Sequence, residues 1–245
     1  MRLRFCLIPG LLGVLAASGC GGDDGPGTTP GTDSPTDPQT INGYCNDKTP
    51  ALLAAAGDPE VAIAPVAEEP VEGSACNAVI RTYPPEPASH TPMVCDTVTY
   101  GTNPPMSGMH YGVFPKSGIY DYAIPRGFWV HALEHSNVVI TYSCTDCAAE
   151  VMQAEKVVKT QPVEAACCPG GDCSDATNRM LLTPDPGIPT RWAASAWGFT
   201  LTADCFEPAV FESFADQFRN QGPEAERGIC ANTFATDVSQ PGPGL

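Results

Sequence analysis

Twelve cysteines in 245 residues constrain this chain more than any other feature. A reduced cytosolic protein of this size has little use for so many thiols, so the count points to an oxidising compartment. Cys6 and Cys20 fall in the first 20 residues, which leaves ten in the body: Cys45, Cys76, Cys95, Cys144, Cys147, Cys167, Cys168, Cys173, Cys205 and Cys230. Ten is even and suits five disulfides, with the connectivity open. The 26 prolines and 24 glycines make about a fifth of the chain and favour a loop-rich body over a helical bundle. Twelve basic residues against 28 acidic ones exclude a nucleic-acid surface, which needs clustered Lys and Arg.

The first 20 residues say where the chain goes. Arg2 and Arg4 precede an apolar run over residues 5–17, and Ala17, Ser18 and Gly19 lead into Cys20. This is a secretory signal over residues 1–19 with small residues before a cysteine, similar to the lipobox of bacterial lipoproteins. Cys20 is then the lipidation site, its thiol diacylated and its new amino group acylated. The acyl chains hold the protein at a membrane without a spanning helix. Loss of Arg2 and Arg4 moves the net charge from −16 to −18. Residues 20–40 form a Gly/Pro/Thr/Asp tether with nothing to anchor a core. Gly21 stands where an inner-membrane retention signal often places Asp, which favours the outer membrane.

Residues 41–84 read as an irregular arm tied down by Cys45 and Cys76, and residues 231–245 as a tail. Between them, CDTVTY (95–100) alternates like a strand, while residues 103–118 form a turn-rich loop. VVITY (138–142) is β-branched enough for a buried strand. Asp146 can cap a helix to about Thr160, with Cys147, Val151, Ala154 and Val158 inward and a Glu155–Lys159 pair outward. RMLLT (179–183) and residues 194–202 supply further strands. Pro208 opens a last helix to about residue 221, with Val210, Phe211, Phe214 and Phe218 as its apolar stripe. The expected class is α+β, a small and mostly antiparallel sheet covered by two helices, loop-rich and disulfide-stapled.

Three of the four histidines lie close together: His110, His131 and His135. The segment His131-Ala-Leu-Glu134-His135 has the H-x-x-E-H spelling of inverted zinc peptidases. That motif needs a long helix, and Ser136-Asn137 reads as a turn directly before a strand. A weaker reading remains, in which His110, His131 and His135 converge as nitrogen ligands of one zinc or copper ion. Glu134 is then a fourth ligand or orients the others. Met106 and Met109 flank the loop and would suit copper(I). The alternative is that the histidines only brace loop backbone.

The wording around these residues resembles the bacterial family known as domain of unknown function 3105. The resemblance lies in NPPMSGMHY (103–111), GIYDYAIP (118–125), VHALEHSNVVITY (130–142), residues 180–206 and FADQFRNQGPE (214–224), and it covers about residues 85–230. It implies that the family's histidine and glutamate positions fall on His110, His131, Glu134 and His135. The Gly-Gly that follows in the family is Ser136-Asn137 here, and Asn tolerates positive φ, so the same turn is expected. The family carries no assigned activity.

Cys144-Thr-Asp-Cys147 ends a strand and opens a helix, a setting that can depress a thiol pKa. The rest of a thioredoxin-like pattern is missing. With Cys167-Cys168 the same pair approaches a zinc-site spacing; structural disulfides are the third reading. Trp129, Trp192 and Trp197 line either a ligand pocket or the core. The sequence therefore favours an envelope lipoprotein that binds a transition metal or small ligand. A structural module contacting another envelope protein comes second, and an enzyme (metal-assisted hydrolase or thiol oxidoreductase) last.

Overall fold

The computed structural model describes residues 62–92, 95–163 and 177–224. The signal, Cys20 and its tether, Cys45, Cys167, Cys168, Cys173, Cys230 and the tail lie outside the described residues. Short strands β1 (Ala67–Pro70), β2 (Val79–Thr82), β3 (Ser89–His90), β4 (Met109–His110) and β5 (Gly118–Ile119) come first. They are followed by α1 (Arg126–Glu134), β6 (Val138–Tyr142), α2 (Ala148–Thr160), β7 (Met180–Pro184), β8 (Trp192–Ala196), β9 (Phe199–Ala203) and α3 (Pro208–Phe218).

Seven strands form one sheet in the order β1-β2-β9-β8-β6-β7-β5, and β3 pairs with β4 separately. The class is α+β, with two corrections. The sheet is mixed, because β5, β7 and β6 run parallel while the pairs from β1 through β6 are antiparallel. There are three helices among the described residues, not two. The parallel half is two crossover units, β5-α1-β6 and β6-α2-β7, and parallel strands need such crossovers. CDTVTY is not a strand but irregular chain. Conversely, β1 and β2 lie in the stretch read as irregular, and β2 is hydrogen-bonded to β9 along its length.

The sheet separates two cores, because successive strand residues point to opposite faces. Val138 and Ile140 of β6, with Met180 and Leu182 of β7, pack with Ala154, Val157 and Val158 of α2 and Phe211, Phe214 and Phe218 of α3. Val139 and Leu181 face the other way, onto Phe128, Trp129, Val130 and Leu133 of α1 and onto Tyr111 and Trp197. Trp129, Trp192 and Trp197 are all buried in these cores rather than lining a pocket.

Two disulfides have both partners described. Cys76–Cys205 ties the turn before β2 to the end of β9, and Cys144–Cys147 bonds the two ends of the C-x-x-C to each other. Cys95 is disulfide-bonded as well. A disulfide at Cys144 and Cys147 removes the two thiolates that a zinc site shared with Cys167-Cys168 requires. Cys147, not Asp146, is the N-cap of α2, and Asp146 accepts from Arg191 at 2.8 Å instead. No helix among the described residues is long and apolar enough to cross a membrane.

Candidate metal centre

The site is assembled on the α1 face of the sheet. Helix α1 starts after Pro125 and is buried along all nine residues, so it carries no amphipathic stripe. Its first turn is held by Arg126, whose Nε donates to Asp185 at 2.8 Å and whose Nη2 donates to Asn103 at 2.9 Å. Asn103 in turn donates to the Gly187 carbonyl, so the loop leading to β4 is fastened to the helix that carries the other ligands. Its last turn closes as a Schellman motif: Ser136 N–H donates to Leu133 and Asn137 N–H to Ala132, both at 2.9 Å. The left-handed residue is Ser136, at φ 70°, and not Asn137 as expected from the sequence. The tight turn is real, and it ends the helix one residue after Glu134, too short for a peptidase helix.

All four histidines of the chain gather here. Strands β3 and β4 place His90 opposite His110 in parallel register, with ring centroids 5.0 Å apart. His131 lies 4.9 Å from His90 and 4.6 Å from His110. One nitrogen of each buried ring is already committed. His110 Nδ1 donates to the Gly108 carbonyl at 2.8 Å, and His131 Nδ1 donates to the Tyr111 carbonyl at 2.6 Å. Nε2 is the remaining polar atom of each ring.

Those two nitrogens border one carboxylate. His110 Nε2 stands 3.0 Å from Glu134 Oε2 and has no other polar partner, and His131 Nε2 stands 3.8 Å from the same oxygen. Burial, then the charges of His110 and His135, push the His131 imidazole down to about 3, so it is neutral throughout the physiological range. Burial pushes the Glu134 carboxyl up, but its bond to His110 and the charges of His110, His131 and His135 outweigh this and hold it below the ordinary carboxylate value. His110 Nε2 and the Nε2 of neutral His131 thus border one buried carboxylate oxygen, an arrangement in which a cation can take the place of the proton between His110 and Glu134.

The ligand atoms of His90, His110, His131 and Glu134 all lie within 4.8 Å of one another. His135 sits to one side. Its Nε2 is 3.0 Å from His131 Nε2 and 3.4 Å from Glu224 Oε2, and Phe114 stacks on its ring at 4.5 Å. It belongs to a second group with Glu134 and Glu224. Of the four residues singled out from sequence, the structure brings His110, His131 and Glu134 together and sets His135 beside them. Sequence reasoning missed His90 and Glu224. His90 is isolated in a proline-rich stretch, and only the β3–β4 pairing brings it in. Met106 is wholly buried, its sulfur accepting from Ser107 Oγ, and Met109 alternates to the exposed side of β4.

Residues 93–231 match a family described as "Protein of unknown function (DUF3105)". No curated protein matches the chain, and neither does any solved structure.

Proposed function

We propose that this chain, which belongs to the DUF3105 family of proteins of unknown function, is a cell-envelope lipoprotein whose domain binds a divalent transition-metal ion through His90, His110, His131 and Glu134. The observation that carries the reading is the pair of Nδ1–carbonyl bonds, which turn the Nε2 atoms of His110 and His131 towards the same Glu134 oxygen. Zinc–nitrogen bonds of about 2.0–2.1 Å put tetrahedral donors about 3.3 Å apart. The 3.0 Å and 3.8 Å separations to Glu134 bracket that spacing. Three imidazoles and a carboxylate suit zinc, and neither wholly buried Met106 nor outward-facing Met109 adds a soft ligand for copper(I). His90 is exposed, so the ion enters from solvent on that side. The lipobox-like residues before Cys20 support attachment through acyl chains, and Gly21 favours the outer membrane.

The test is equilibrium dialysis of metal-stripped mature protein against zinc, with copper as a second arm, followed by elemental analysis. Wild type should retain zinc, and His110→Ala and His131→Ala should lose it. Substoichiometric metal in all three would refute the reading. Separately, Cys20→Ala should move the protein from the membrane fraction to the soluble periplasmic fraction.

A further inference from the structure

We infer that the centre holds two cations, the second bound by His135 and Glu224, with Glu134 as the carboxylate shared between them. This rests on the first site being a metal site and adds a second one beside it. The donors split into two overlapping groups rather than one shell: His90, His110, His131 and Glu134 in one, and Glu134, His135 and Glu224 in the other. Glu134 is common to both. A carboxylate has two oxygens and can bind a different cation with each. Paired ions in two-metal sites stand about 3.5–4 Å apart. His131 and His135, one on each ion, stand 3.0 Å apart at Nε2, and His135 and Glu224 stand 3.4 Å apart, near the spacing of two donors on one tetrahedral ion.

The second group is built by a dedicated piece of chain. After α3, residues 220–224 fold back over the end of α1. Asn220 N–H donates to the Ser136 carbonyl, Gly222 N–H to Ser136 Oγ, and Glu224 N–H to the Glu134 carbonyl at 3.2 Å. Gly222 lies so close to the end of the helix that a Cβ there would overlap the carbonyl oxygens of Leu133 and Glu134. The Glu224–Glu134 bond fixes the backbone of Glu224 against that of the residue the two cations share. Phe114, stacked on His135, sets the plane in which its Nε2 can bind.

Cobalt(II) is the probe. Metal-stripped mature protein is titrated by calorimetry, and the loaded protein is examined by electron paramagnetic resonance. Wild type should take two equivalents, with a signal below that of two isolated ions because the shared carboxylate couples them. Glu224→Gln and His135→Ala should each take one equivalent and give the full single-ion signal, and His110→Ala should lose the tighter equivalent. The Glu224 side chain is half-exposed, so its amide variant keeps the fold, checked by an unchanged melting temperature. One equivalent in wild type, unaltered in Glu224→Gln, overturns the second site and leaves the first standing. No bound cobalt in wild type overturns both.

Discussion

Replacing Gly127 by alanine should weaken both the fold and the metal centre, against the ordinary preference of helices. An alanine inside a helix is favoured over glycine by about 1 kcal/mol. At this position a Cβ would lie 2.5–2.7 Å from three ring carbons of Tyr111. That ring cannot swing aside, because Tyr111 is buried and held at both ends. Its N–H donates to the Gly127 carbonyl at 2.9 Å, and its hydroxyl donates to the Asp96 carbonyl at 2.9 Å. Overpacking of this kind costs about 1–3 kcal/mol, and the hydroxyl bond adds about 1 kcal/mol if it breaks. The net after the helix gain is a loss of about 2 kcal/mol, or about 4–8 °C in melting temperature for a domain of this size. The functional consequence follows from the Tyr111 carbonyl, which holds His131 Nδ1 at 2.6 Å. Displacing such an orienting partner lowers metal affinity about 10–100-fold. Thermal melts of the metal-free protein and zinc titrations of the same samples read the two effects. A variant that melts at or above wild type and binds zinc equally well would refute the idea that Tyr111 sets the His131 ring.

Three further outcomes follow from the same structure. Arg126→Ala leaves the Asp185 carboxylate buried without its 2.8 Å partner and should cost about 3–5 kcal/mol by urea denaturation, whereas a surface pair such as Lys159–Glu155 should cost under about 1 kcal/mol. Metal-free protein should lose stability in acid. The unfolded chain protonates His131 near the ordinary imidazole value and the native chain only at about 3, so stability falls as pH drops between the two. The depressed Glu134 acts in the same direction at lower pH, and His131→Gln should flatten the upper part of the profile of urea midpoints. Opening Cys76–Cys205, which spans 129 residues, should cost up to about 5 kcal/mol by chain entropy. Opening Cys144–Cys147, with a separation of 3, should cost about 2 kcal/mol at most, as read by urea midpoints of the paired alanine variants.

How much of this was legible in the sequence depended on whether a residue's role is set locally. VVITY, RMLLT and the two amphipathic helices are each marked by their own composition, and each is where the pattern puts it. The single strand expected over residues 194–202 is instead the antiparallel hairpin β8–β9, turned at Trp197-Gly198 with Gly198 at φ 85°. Helix α1 is not marked. A helix buried on every side shows no apolar stripe, and residues 128–133 (FWVHAL) read only as an apolar run. Missing it hides more than one element. Without α1 there is no β5-α1-β6 crossover, so only β6-α2-β7 is left to supply a parallel pair and the sheet reads as mostly antiparallel. The polar four-residue strand AEEP has no periodicity to betray it, and it joins the sheet only because β2 is already paired to β9.

The candidate site divides along the same line. His131, Glu134 and His135 share one turn of α1 and its cap, so their proximity follows from spacing alone, and His110 was near enough in sequence to join them. His90 and Glu224 arrive through a two-residue strand and a folded-back segment after α3, neither of which has a sequence signal. This division bears on what the centre is for. Residues that only braced loops would be satisfied by local backbone partners, as His110 Nδ1 is by Gly108. Instead, two segments far apart in the chain converge on Glu134, which two clusters of metal-ligand type share among the described residues. Holding His110, His131 and Glu134 together out of water costs desolvation, and a cation bound among them would offset it.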